Sequence, residues 1–293
     1  MGIFPANENI NRRNGTMIHP TAVVSPKAEI GKNVEIGPYA VIEDDVKIGD
    51  DCHIDAHVKI CQYTTVGARC RIYFGALVGA EPQDHRFYKG LCSYCEIGSD
   101  TVIREYVTIH RPPFEFLKTV VGNHVLLMAF VHVAHDVIIA DRVTIANHTA
   151  ITGHVQIGEG AVLSGYSKIH QFCRIGSLCM IGAGCMISQD VPPFCMLRET
   201  NVVTGPNTIG LRRAGFSNEK RLAVRRAIKT FFFEGLNTKN ALDQIERSGE
   251  LEPEIRHFVN FIKESKRGIM PGNPKYAGLS DEQRDELERA SQA

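Results

Sequence analysis

An aliphatic residue returns every six positions along most of this chain. From Ile18 the series runs through Val24, Ile30, Ile36, Ile42, Ile48, Ile54, Ile60, Val66, Ile72 and Val78. It breaks, resumes at Ile97, Ile103 and Ile109, and from Val121 continues unbroken to Ile187. With about half of residues apolar, the twelve consecutive hits from Val121 would arise by chance about once in four thousand. The residue two before each hit obeys a different rule. Val125, Val131, Val137, Val143, Thr149, Val155, Ala161, Ser167, Cys173, Cys179, Cys185 and Val191 are all small or β-branched. One large and one small inward position per six residues is the pattern of a hexapeptide-repeat β-helix.

Each rung is therefore predicted as a short strand plus a corner. Three rungs make an 18-residue coil, and coils stack at about 4.7–4.9 Å. Gly, Asn and Asp recur near the corners ("IGKN", "IGDD", "VGNH", "IGEG"), where positive φ or a tight bend is required. Residues 84–96 and 111–119 break the phase and are predicted loops, the kind of insertion that collects at a binding face. After "QDVPPF" the period becomes helical. Helices are expected over 217–235, with Leu222, Ala223, Ile228, Phe231 and Phe232 for its buried side, over 237–249, and over 253–268 with Ile255, Phe258, Val259 and Ile262 inward. The resulting division is a disordered extension (1–16), a β-helix (17–193), a small C-terminal α-helical domain (194–270) and a loose polar tail (271–293).

Composition narrows the setting. With 33 basic and 33 acidic residues, bulk charge points to neither nucleic acid nor membrane. Nine cysteines in 293 residues do not resemble a disulfide scaffold, and Cys173, Cys179 and Cys185 fall on small inward positions. Cys92 and Cys95 have no second CxxC to complete a zinc site. The N-terminus lacks the apolar core of a secretory signal, Ala6 defeats the myristoylation pattern, and no window approaches the ~20 apolar residues of a membrane span. A soluble, reducing cytoplasm is the expected compartment.

The candidate chemistry lies in "VHVAHDV", residues 131–137. Neither His132 nor His135 occupies an inward position, and His148, His154 and His170 do not either. Adding 18 and 36 to His135 gives Gly153 and Gln171, so these share a column with His154 and His170 beside it. Gly153 removes a side chain, makes room for a ligand and bares a backbone N–H suited to an oxyanion. Asp136 is placed to orient the imidazole, although neighbours on a strand diverge. Two chemistries fit: a zinc hydratase site built from three imidazoles, or acyl transfer with a histidine as general base. No GxSxG motif is present, which favours direct transfer over an acyl-enzyme.

"VHVAHDV", "TGHVQIG", "IHQFCRIG" and "SQDVPPF", in this order and spacing, then "GLRRAGF" and a helical tail, resemble the UDP-N-acetylglucosamine O-acyltransferase family over about residues 17–270. The resemblance implies a left-handed β-helix and a homotrimer with active sites in the clefts between subunits. It also implies the first step of lipid A synthesis, with the acyl donor carried as a phosphopantetheine thioester on acyl carrier protein and no other cofactor or metal. By motif, His135 resembles the base that deprotonates the sugar 3-hydroxyl, Asp136 its orienting carboxylate, and Gly153 the oxyanion donor. Asp84, His132, His154, His170 and Gln171 match acceptor-contacting positions, Asn207 a nucleotide-side residue, and Arg213 an arginine near the donor path. The basic run Arg212, Arg213, Arg221, Arg225, Arg226 and Lys229 suits an acidic carrier protein, the last four serving equally as a solvated helix face.

The chain departs from the family pattern at three places. Arg86 stands where a lysine is usual, and Ile209 and Ala214 replace a glutamate and an arginine near the nucleotide. These departures leave open an amine at C3 of the acceptor, which would yield an amide, or another nucleotide sugar. Ala183 at the ruler position permits a shortened acyl pocket. The related N-acyltransferase carries an N-terminal domain for which residues 1–17 leave no room, and the helical tail disfavours an acetyl-CoA-dependent β-helix enzyme. A non-catalytic scaffold is the remaining rival.

Overall fold

Each rung of the chain contributes a strand of two to four residues to one of three parallel sheets, and the sheets form the faces of a prism. The computed structural model describes residues 11–13, 15–198, 201–247, 252–276, 279 and 283. The first face holds twelve strands, the second nine and the third eight among the described residues. Partners on a face are mostly 18 residues apart, as Val133 with Ile151 and Ile151 with Ile169. This is a left-handed β-helix followed by a small helical domain.

Both inward positions behave as the periodicity predicts. From Ile36 to Ile187 the large aliphatics are at most 3 % exposed, and Val125, Val131, Cys173, Cys179 and Cys185 are equally closed. Ile18, Val24 and Ile30 are only half-buried, because among the described residues no coil covers them from below. The N-terminal extension is not irregular throughout: Asn11–Arg13 pairs antiparallel with Thr16–Ile18, giving the open edge of the first face its backbone partners. Residues 1–10 of that extension lie outside the described residues.

Corner chemistry differs from the expectation in detail. In each quoted four-residue corner the left-handed residue is the last: Asn33, Asp51, His124 and Gly160 have φ of 54°, 58°, 54° and 65°. The second residue serves another purpose. A Cβ on Gly158 would lie 2.5 Å from the Ser177 nitrogen of the next coil, so glycine there allows corners to stack. After first-face strands the corner carries rings, on the left-handed residue itself except at Phe74, which precedes left-handed Gly75. Tyr39, His57, Phe74, Tyr106, Phe130, His148 and Tyr166 form a ladder with centroid separations of 4.8–5.5 Å. His148 thus belongs to this ladder and not with the other histidines.

The two excursions begin and end differently from the prediction. They span 81–93 and 111–117, because Tyr94–Ile97 and Lys118–Val121 are four-residue strands paired with each other. Cys95 and Thr119 fill the small inward position, so the repeat resumes before the predicted ends of the loops. Cys92, by contrast, is half-exposed and donates its thiol to the Tyr94 hydroxyl.

The C-terminal helices are α1 (Thr208–Arg213), α2 (Asn218–Phe233), α3 (Thr238–Arg247) and α4 (Pro253–Lys263). Helix α1 is an addition to the sequence expectation, since six residues carry too little period to show. Helix α2 buries Val224, Ala227, Ile228 and Phe233, while Leu222, expected inward, is 46 % exposed. Two residues are about 200° of helix, which puts Leu222 opposite Val224. Helix α4 buries Ile255, Phe258, Val259 and Ile262 as predicted. The start of the expected loose tail is docked: Val203 donates to Pro271 O and accepts from Asn273 N–H.

Candidate functional site

Both excursions leave the prism at one corner, where second-face strands give way to the third face. His135 sits at that corner. Asp136 adopts φ 59°, which breaks strand alternation and turns its carboxylate back onto its neighbour. Asp136 Oδ2 lies 2.7 Å from His135 Nδ1, and the Asp136 N–H donates to Thr119 Oγ1. The divergence expected of adjacent strand residues does not apply to a left-handed corner.

Gly153, one coil on, is required by the ring itself. A Cβ there would stand 2.6 Å from His135 Cε1, so the space cleared by glycine is filled by the imidazole. Among the described residues the Gly153 N–H donates to no protein acceptor. His154 stands perpendicular to His135 at 5.2 Å, stacks on Phe172 at 4.7 Å and brings Nε2 to 3.8 Å from Asp136 Oδ2. Burial lowers its pKa. The donor atoms of His135, Asp136 and His154 lie within 4.8 Å of one another, a set able to hold a metal ion.

Asp84 reaches the corner from the first excursion, with Oδ2 3.8 Å from His135 Nε2. Arg86 clamps it through Nε and Nη2 at 3.0 and 2.6 Å, which holds the carboxyl well below the usual range. The same guanidinium lies over Phe114, 4.9 Å from the ring centroid, and so ties the two excursions together. His132 accepts or donates at Nδ1 to Thr108 Oγ1 at 2.9 Å. Burial, then neighbouring His110, pushes its pKa down to about 4.

Two site residues escape the sequence pattern. His110 is 5 % exposed, donates Nδ1–H to Glu81 O and packs 5.0 Å from His132. Arg111 is also buried, donating to Leu91 O and lying over Phe87, so it fastens the excursion that carries Asp84. Their signal is present in "TIHRPP", where the repeat breaks directly after an outward histidine.

Other predicted residues stand apart from His135. His170 and Gln171 are exposed, with His170 Nδ1 3.1 Å from Arg267 Nη2. Asn207 lies at a different corner, beyond the third face, and both its side-chain ends are used internally. Its Oδ1 accepts from Gly210 N–H at the start of α1, and its Nδ2 donates to Leu178 O. Arg213 is exposed at the end of α1. A cleft of about 460 Å³ opens beside them, lined by Arg142, Leu178, Phe194, Phe216 and His257. Of the basic run, Arg212, Arg213 and Arg226 are exposed, whereas Arg221 bonds to Phe216 O and Asn218.

Comparison with known proteins gives these positions a context. Residues 190–270 match the model "Udp N-acetylglucosamine O-acyltransferase; Domain 2", and 13–44, 45–80, 118–153 and 154–189 match "Bacterial transferase hexapeptide (six repeats)". The chain is 51 % identical over 253 residues to an acyl-[acyl-carrier-protein]–UDP-N-acetylglucosamine O-acyltransferase of Chlorobaculum parvum, covering 86 % of this chain and 96 % of that one. It is 48 % identical over 269 residues to a protein of the same name from Sulfurihydrogenibium sp., covering 91 % and 99 %. A solved UDP-N-acetylglucosamine acyltransferase from Bacteroides fragilis superposes with a TM-score of 0.84 at 43 % identity, covering 87 % of this chain and all of that one.

Proposed function

The chain belongs to the UDP-N-acetylglucosamine O-acyltransferase family, and from that premise we propose how its residues transfer an acyl chain from acyl carrier protein to the 3-hydroxyl of UDP-N-acetylglucosamine, the first step of lipid A biosynthesis. The observation that carries the mechanism is the 2.7 Å contact between His135 Nδ1 and Asp136, with the ring laid over Gly153. Asp136 accepts a hydrogen bond from Nδ1–H and leaves a lone pair on Nε2, on the side of Asp84. Nε2 takes the proton of the sugar hydroxyl as that oxygen attacks the thioester carbon. Negative charge gathers on the thioester oxygen, where the free Gly153 N–H is available to meet it. Collapse expels the pantetheine thiolate, which takes the proton from the imidazolium. No acyl-enzyme and no resident metal enter these steps.

The reading extends to assembly. Asn207 and Arg213 stand at a different corner from His135, so one chain does not gather every expected substrate-binding position. A homotrimer with clefts between subunits would set one chain's α1 corner beside its neighbour's His135 corner. Exposed Arg212, Arg213 and Arg226 suit the acidic carrier protein. No helix among the described residues is long and apolar enough to cross a membrane, and a cytoplasmic enzyme is the corresponding proposal.

The test offers acyl carrier proteins loaded with several chain lengths, together with UDP-N-acetylglucosamine or its 3-amino analogue, and reads products by mass spectrometry. An ester from the wild type but not from His135→Ala is expected. Amide from the amino analogue alone would assign the departures at Ile209 and Ala214 to a changed acceptor. No product from a folded protein with any pair would defeat the reading.

A further inference from the structure

The donor set at the catalytic corner supports a second chemistry. Asp136 Oδ2 is 2.7 Å from His135 Nδ1 and 3.8 Å from His154 Nε2, and all three atoms fall within 4.8 Å. Donors bonded to tetrahedral zinc at about 2.0–2.2 Å stand roughly 3.3 Å apart. The two observed edges bracket that value, while the His135–His154 edge, within 4.8 Å, closes by up to about 1.5 Å as an ion enters. Two imidazole nitrogens and a carboxylate are a donor set zinc accepts, and because all three residues are only half-buried a fourth position is left to solvent. The groups are already oriented: His154 stacks on Phe172, His135 lies against Gly153, and Thr119 holds the Asp136 main chain.

We propose that His135, Asp136 and His154 form an inhibitory Zn²⁺ site. The inhibition rests on the acyl-transfer reading; the binding does not. Zinc bonds to Nδ1, and the proton that nitrogen shared with Asp136 is relayed through solvent to Nε2. The ring stays neutral and carries its single proton on Nε2, 3.8 Å from Asp84. That nitrogen is the one that accepts the sugar's proton, and once protonated it accepts none. Turnover stops because the base is in the wrong tautomer. More nucleotide sugar does not restore it.

The test begins with full-length protein stripped of metal by a chelator and titrated with ZnCl₂ by calorimetry. One ion per chain is expected, with affinity at least tenfold weaker in His154→Ala and in Asp136→Asn, each checked for native circular dichroism. Co²⁺ as a probe should give d–d absorption without the intense charge-transfer band of a thiolate, which separates this site from the half-exposed Cys92. In turnover assays zinc should lower kcat at saturating nucleotide sugar. Unchanged binding in both variants, a thiolate band, or full relief by excess sugar would overturn the proposal. If the metal-free wild type transfers no acyl group at all, the functional reading fails, while calorimetry still decides the site.

Discussion

At Asp136 a single left-handed residue makes the dyad, and its consequences can be measured one substitution at a time. His135→Ala should cost about 10²–10⁴-fold in kcat, the usual contribution of a general base. Gly153→Ala drives a methyl into the ring and should cost on the order of 10²-fold by displacing it, with native circular dichroism retained. His132 offers a stability test. Its folded pKa, about 4, lies below the ordinary 6.5, so between those values the unfolded chain binds a proton that the folded chain refuses. Stability should therefore fall as pH drops from about 6.5 to 4, by at most ~2 kcal/mol once partial exposure is discounted. Urea midpoints at pH 7 and 4.5 should shift less in His132→Gln than in the wild type.

Among the elements, the exposed ring ladder balances strain against stacking. Phe130 holds φ 61° while lying between Tyr106 and His148 at 5.2 and 4.8 Å. A β-carbon residue without a ring keeps the strain and loses about 0.5–1.5 kcal/mol per ring pair. Asn tolerates that backbone, so Phe130→Asn should lower Tm less than Phe130→Ala. Equal losses would mean the corner stores no strain. The rungs were legible because size at two inward positions per six residues is a strong, repeated constraint. Corners were less so: the left-handed place accepts Asn, Asp, His, Tyr and Phe alike, so no residue type marks it. Leu222 shows the same weakness in a helix, where one apolar residue off the stripe reads like one on it.

For the whole molecule, site residues at different corners predict complementation. If His135→Ala and Arg213→Ala each impair activity, refolding them together from denaturant should restore part of it. Mixed assemblies would then include clefts with both residues intact. Sedimentation should show a trimer, and no recovery on mixing would confine the site to one chain. Removing metal with a chelator should leave the initial rate undiminished. The stacking of Gly153 on His135 was readable from 18-residue arithmetic alone. The clasp formed by Arg111 and Arg86 was not, because the excursions that carry it obey no period.

Both excursions depart from the same corner, between strands whose phase is already set, and this gives the chain something like a reading frame. Losing one residue between Thr144 and Leu163 would turn every later aliphatic outward, as a frameshift scrambles every later codon. Residues 112–116 lie outside the frame and can be shortened without shifting the phase of any later rung. The architecture thus separates text that must keep count from text that is free to be rewritten, and the free text leaves from the corner that holds His135.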